Sequence, residues 1–134
     1  MGKILNTTLN QIPKLSGQIS DKLKGGEIFG LDGPLGSGKT AFVKALGKCL
    51  NIKQRMPSPT FTLMHVFSAR LKNKKPLVLY HLDLYRLKNF KEARTLGLTE
   101  FWGKPNTVTL IEWAQKIKKY LPKKTRLIKF KHSI

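Results

Sequence analysis

The stretch GPLGSGKT, residues 33–40, decides how the rest of this chain is read. It satisfies the spacing G-x-x-x-x-G-K-[ST] in full, and each fixed position answers a physical need. Gly33, Gly36 and Gly38 let the backbone curl close to a ligand with no Cβ in the way. Amide N–H groups of such a loop, and of the first turn of a helix behind it, converge on an anion. Lys39 supplies a point charge for the β- and γ-phosphates of a nucleotide, and Thr40 a hydroxyl for Mg²⁺. Pro34, Leu35, Ser37 and Ala41 complete the stretch expected to line the nucleotide, with Ala41 also serving helix packing.

The flanks agree with this reading. Before the loop, Gly25-Gly26 breaks the chain and residues 27–32 (EIFGLD) read as a short hydrophobic strand. After it, Phe42, Ala45, Leu46, Cys49 and Leu50 make one apolar helical stripe. Further upstream, Leu9, Ile12, Leu15, Ile19 and Leu23 predict a helix over 9–24. Thr8 and Gln11 resemble a capping box for it, while Pro13 and Gly17 argue for a later start. Downstream, MPSPTF (56–61) is a loop, 61–67 an extended piece, and LKNKKP (71–76) an exposed hairpin or connector. Residues 77–84 are almost continuously apolar, as in a strand covered on both faces. Asn89 and Glu92 cap a short helix carrying Phe90, Ala93 and Leu96. A β-rich run at 107–113, a basic helix at 114–120 and a last strand at 126–130 follow. The expected fold is a single α/β domain over residues 1–134, with a small mixed, mostly parallel sheet flanked by helices.

A phosphate loop calls for a carboxylate at the end of a neighbouring strand to hold the metal. Asp83 meets that requirement, because it terminates the hydrophobic run before it. The alternative partner for Asp83 is Arg86. His81, two residues earlier, shares the strand face of Asp83 and either orients a carboxylate or water or packs as a hydrogen-bonded core residue. Glu112 ends the run VTLI (108–111) and is the second candidate, as a Mg²⁺ ligand or to polarise the attacking water. Such sites gather at the carboxyl ends of parallel strands. Trp113, next to it, either stacks on a base or packs as core. Thr60, in a prolyl-restrained Ser58-Pro59-Thr60 loop, is placed to reach the γ-phosphate or metal as a switch would. The catalytic candidates are therefore Lys39, Asp83, Glu112 and Thr60, and the metal candidates Thr40, Asp83 and Glu112.

Composition sets the remaining bounds. The chain has 134 residues, 40% of them hydrophobic and 25% charged, which suits a folded domain. Cys49 is the only cysteine, so a disulfide framework and a cysteine-rich zinc site are excluded. No apolar run approaches a membrane span of about 18 residues, and the N-terminus lacks signal-peptide character. A cytoplasmic location without membrane contact is expected. The 26 Lys and Arg against 7 Asp and Glu give a net charge of +19 and predict attraction to polyanions.

Taken together, GPLGSGKT (33–40), SPTFTL (58–63), HLDLYRL (81–87), the segment from Gly97 to Glu100 and LIEW (110–113) resemble the TsaE (YjeE) family. These are small P-loop ATPases of tRNA threonylcarbamoyladenosine biosynthesis, and the match runs in order through residues 25–115. The resemblance implies ATP and Mg²⁺ as ligands and the TsaD–TsaB heterodimer as partner. That complex transfers a threonylcarbamoyl group to adenosine 37 of tRNA, and the ATPase is an accessory that resets it. It also implies phosphate contact by Lys39 and Mg²⁺ ligation by Thr40. Asp83 becomes the acidic strand-end residue, Glu112 the glutamate of metal and hydrolysis, Trp113 the tryptophan after it, and Thr60 the switch-loop threonine. Three departures stand out: Pro34 where an acidic residue is usual, Ala114 in place of a proline, and an end at Ile134 that is early for the family. Rival readings are a nucleoside or small-molecule kinase with the same loop, and a non-catalytic basic RNA-binding protein that contacts tRNA directly.

Overall fold

The computed structural model describes residues 4–54, 56 and 63–132, excluding the side chain of Lys116. The chain opens with strand β1 (Ile4–Thr8), a 3-10 turn (Leu9–Gln11) and helix α1 (Ile12–Lys22). Strand β2 (Glu27–Asp32) leads through the glycine-rich loop into helix α2 (Lys39–Cys49). Strands β3 (Met64–Arg70) and β4 (Pro76–Asp83) form a hairpin, followed by the short helix α3 (Phe90–Thr95). Strand β5 (Thr107–Glu112), a 3-10 segment (Ala114–Tyr120) and strand β6 (Arg126–Lys131) complete the fold.

Among the described residues the strands make one six-stranded sheet in the order β1-β6-β2-β5-β4-β3. Every pairing is parallel except β3 with β4 at one edge. Mixed, mostly parallel and flanked by helices, this is the fold class the sequence predicts.

Alternation along the strands divides the core into two layers. Phe29 and Leu31 of β2, Val108 and Leu110 of β5, and Leu77 and Leu79 of β4 pack with Phe42, Leu46 and Ile19 of the two long helices. Ile28, Leu82, Ile111 and Leu127 point the other way, onto Ala93 of α3 and Ile117 and Leu121 beyond β5. Because the side-chain period is two, His81 and Asp83 fall on the α1/α2 face with Leu79, and Glu112 joins Leu110 there. The register sets Asp83 directly beside Glu112.

Several boundaries differ from the sequence reading. The strand at 4–8 lies where no strand is expected; it pairs with β6, Ile4 beside Leu127 through Thr8 beside Lys131. The later helix start that Pro13 argues for is seen: α1 begins at Ile12, and Pro13 sits in its first turn, where a missing N–H costs nothing. The Gln11 side chain accepts the Thr8 N–H at 3.1 Å, which holds the turn from β1 into α1. Of the expected extended piece at 61–67, residues 61 and 62 lie outside the described residues, and 64–67 begin a strand that runs on to Arg70. The basic helix at 114–120 is 3-10 in form, with Ile117 off helical geometry. Helix α3 is capped as its sequence predicts, Asn89 accepting the Glu92 N–H at 2.9 Å. It ends on Gly97 at φ 75°, with Gly97 N–H bonded to Arg94 and Leu98 N–H to Ala93, the Schellman pattern. Among the described residues no helix is long and apolar enough to cross a membrane.

Leu110 is fully buried at the centre of the sheet, whereas Val66 on edge strand β3 is 52% exposed. Leu110→Ala is expected to lower unfolding free energy by about 2–5 kcal/mol, and Val66→Ala by less than about 0.5 kcal/mol, measured by urea denaturation.

Candidate functional site

The carboxyl ends of β1, β2, β4, β5 and β6 lie on one edge of the sheet. A cleft of about 370 Å³ opens there, lined by Leu9, Leu35, Gly36, Gly38, Lys39, Thr40, Ala41, Asp83, Glu112 and Trp113. Segments far apart in sequence therefore meet as expected: the loop after β2, the start of α2, and the ends of β4 and β5.

The loop geometry explains its glycines at two positions. Gly38 holds φ 115° at the N-terminus of α2, and a Cβ there would come within 2.7 Å of Ile12 Cδ1. A Cβ on Gly33 would lie 2.7 Å from the Phe130 carbonyl oxygen and 2.7 Å from Ser37 Oγ. The loop is thus pressed between β6 and α1, and any side chain at these two positions displaces it. A turn, with Ser37 N–H donating to Pro34 C=O at 3.2 Å, closes its tip. Ser37 Oγ is buried with no partner among the described residues.

Lys39 is 95% buried, its exposure being 5%. Its Nζ donates to the Gly33 carbonyl and rests 3.5 Å from the centroid of the Trp113 ring, a cation–π contact. Burial pushes the ammonium below its ordinary pKa, while the charges of Glu112, Asp32 and Asp83 oppose that shift. Trp113 itself adopts a left-handed backbone, φ 63°, and its ring meets Tyr85 at 5.0 Å with the planes tilted by 51°. Between a base platform and a core residue, the structure gives Trp113 a third task, as the rest for the Lys39 ammonium. Ala114, the residue after it, is fully buried beside Gly30, where a Cβ would meet it at 3.0 Å.

The two strand-end carboxylates differ. Asp83 is half-buried, and its Oδ1 accepts the Tyr85 N–H at 2.9 Å. Burial raises its pKa, helped by Glu112 and opposed by that N–H and by the charges of His81 and Lys39. Glu112 is only 3% exposed, and its Oε2 lies 2.5 Å from His81 Nε2, within hydrogen-bonding distance. His81 therefore bonds the carboxylate of the adjacent strand, not Asp83 on its own. Its spacing from Asp83 gives the correct face, but the partner is set by the β4–β5 register, which sequence does not print.

Asp32 and Leu9 are site residues that sequence reasoning overlooks. Asp32 ends β2 and acts on Lys39 through its charge. Leu9 lines the cleft because β1 runs parallel to the others and delivers it to the same edge. The residues Ser58, Pro59 and Thr60, expected to form the switch loop, lie outside the described residues.

The donor set suits a phosphorylated ligand with a hard divalent ion. Among the described residues no three His, Cys, Asp or Glu converge to cage a metal by themselves. A Mg²⁺ ion that takes most of its ligands from water and phosphate oxygens needs only a hydroxyl and one or two carboxylates. Thr40, Asp83 and Glu112 are among the residues that line the cleft and carry those groups.

Comparison with known proteins places this geometry. The family model for "Threonylcarbamoyl adenosine biosynthesis protein TsaE" matches residues 6–134. A tRNA threonylcarbamoyladenosine biosynthesis protein TsaE from Treponema pallidum is 38% identical over 104 residues, 77% of this chain and 71% of that protein. The protein of the same name from Bacillus subtilis is 37% identical over 110 residues, 82% of this chain and 65% of its own. The crystal structure of Bacillus subtilis YdiB superposes with a TM-score of 0.61 at 30% identity, covering 87% of this chain and 66% of that one. The chain thus spans about two thirds of the length of these relatives. With the family model matched over nearly its whole length, this chain belongs to the TsaE family of threonylcarbamoyl adenosine biosynthesis proteins.

Proposed function

We propose that this chain binds ATP with Mg²⁺ and hydrolyses it, acting as a single P-loop domain over residues 1–134. It serves as the accessory ATPase of threonylcarbamoyl transfer to adenosine 37 of tRNA, in the cytoplasm. Its partner is the TsaD–TsaB heterodimer, and tRNA meets it within that assembly. The observation that carries this reading is the convergence of Lys39, Thr40, Asp83 and Glu112 on one cleft at the mouth of the glycine-rich loop.

In this reading the backbone N–H groups of residues 33–40 hold the phosphates, with Gly33, Pro34, Leu35, Gly36, Ser37 and Gly38 shaping the cradle and Ala41 in the first turn behind it. Lys39 leaves the Gly33 carbonyl and the Trp113 ring to meet the β- and γ-phosphates, where its charge offsets the charge that develops on transfer. Trp113, released from the ammonium, becomes available to the nucleotide. Thr40, Asp83 and Glu112 hold Mg²⁺, which supplies Lewis-acid polarisation of the phosphate oxygens when bound. Glu112 also accepts the proton of the attacking water, for which a fixed, buried carboxylate is suited. Thr60 acts from the switch loop on the γ-phosphate.

Three measurements check this. Lys39→Ala is expected to weaken ATP binding roughly 10- to 100-fold, the value of a lost charge-assisted contact, by titration calorimetry. Unchanged affinity and single-turnover hydrolysis would remove the phosphate role. Glu112→Gln is expected to lower kcat about 100- to 10,000-fold with little change in ATP affinity; equal loss of both makes it an anchor instead. The third concerns acid. Protons compete with a metal for a carboxylate, and burial raises the pKa of Asp83. Mg²⁺-dependent ATP affinity should therefore fall on acidification from a higher pH than an ordinary aspartate gives, and Asp83→Asn should abolish that acid limb.

A further inference from the structure

We infer that His81 is the positioning residue for Glu112: through the buried Nε2–Oε2 bond it fixes one carboxylate oxygen and leaves the other to serve the cleft.

The two side chains are almost equally buried, at 2% and 3% exposure, and lie 2.5 Å apart. A carboxylate removed from water to that degree needs a donor or a cation. An ionised carboxylate has only acceptors, so the Nε2 facing it carries the proton. Lys39 does not fill the role: it influences Glu112 through charge, yet its ammonium is bonded to the Gly33 carbonyl and seated on Trp113. Asp83, the neighbour of Glu112 in the register, is occupied by the Tyr85 N–H. His81 is thus the donor that the described residues provide for the Glu112 carboxylate.

The imidazole is itself confined. Its backbone is fixed between β3 and β5, paired with His65 on one side and Leu110 on the other. The His65 ring lies 6.4 Å away, in turn stacked on Phe67 at 6.1 Å. His65 Nε2 is buried with no partner among the described residues, so it does not compete for the Glu112 carboxylate. Burial lowers the His65 pKa, and the neighbouring His81 acts in the same direction. The result is a rigid mount on the central sheet. One carboxylate oxygen of Glu112 is anchored inward while the residue lines the cleft. Holding a base at the correct distance and angle is worth far more than its mere presence.

The inference rests on the reading of Glu112 as the hydrolytic carboxylate, and the test separates the two. His81→Gln keeps an N–H at the position of Nε2; His81→Leu removes it. ATP affinity by titration calorimetry and single-turnover hydrolysis, alone and with TsaD–TsaB, are measured for both, with Glu112→Gln and the double variant alongside. The expected result is a roughly 10- to 100-fold drop in kcat for His81→Leu at unchanged ATP affinity. His81→Gln should recover most of that loss, and His81→Leu should add nothing in the Glu112→Gln background. The positioning role is overturned if Glu112→Gln is slow while His81→Leu keeps the wild-type rate. It is equally overturned if binding and rate fall together, if His81→Gln gives no recovery, or if the two losses multiply. Should His81→Leu fail to fold, His81→Gln decides alone: full wild-type kcat supports a donor at that position, and a loss as deep as that of Glu112→Gln refutes it. A Glu112→Gln protein with wild-type kcat instead removes the hydrolytic reading itself.

Discussion

Parallel strands joined by crossover connections all end on one edge of their sheet, and the chemistry of this protein depends on that constraint. The loop after β2, the aspartate ending β4 and the glutamate ending β5 are separated by dozens of residues, yet the register places them around one cleft. Side-chain alternation supplies the second half. Phe29, Leu79 and Leu110 face the long helices, so Asp83 and Glu112, two or four positions on, face the same layer and the start of α2. A one-residue slip of β4 or β5 would turn its carboxylate to the opposite face, toward α3.

Within that frame the charges are arranged with economy. A chain carrying 7 acidic residues against 26 basic ones brings the charges of Asp32, Asp83 and Glu112 to bear on the buried Lys39. Desolvation nevertheless outweighs their attraction and lowers the lysine pKa, the direction expected when an ammonium leaves water without a direct ion pair. The aromatic face and the Gly33 carbonyl stabilise it without neutralising it. Its charge remains available for an anion.

Much of this was legible from residues alone, and the reasons are local. The β2–loop–α2 unit is announced by glycine spacing and by the change from strand to helix period, and β2 spans the residues the sequence marks. Asn89 and Glu92 specify the start of α3 because capping is a contact over three residues. β1 escaped because ILNTT is short, has no clear alternation and owes its place to β6 at the far end of the chain. The 114–120 segment has helical composition but follows a left-handed Trp113 and tightens into 3-10 turns over a buried Ile117. The same limit governs the site. Asp83 and Glu112 are visible as acids closing hydrophobic runs, whereas the His81–Glu112 bond and the Lys39–Trp113 contact exist only once strands are registered and a backbone turns left-handed.

The resting place of Lys39 has a consequence for selectivity. An incoming ligand must draw the ammonium off a carbonyl and an aromatic face before it can use that charge. The gain from binding is therefore the difference between two seats for one cation, not the full value of the new contact. In the proposed ATP-binding role, a polyphosphate would bring several oxygens to compete for that ammonium at once. On the proposed function, a monophosphate or a neutral nucleoside would gain less from that exchange, which would make charge density the property this seat selects.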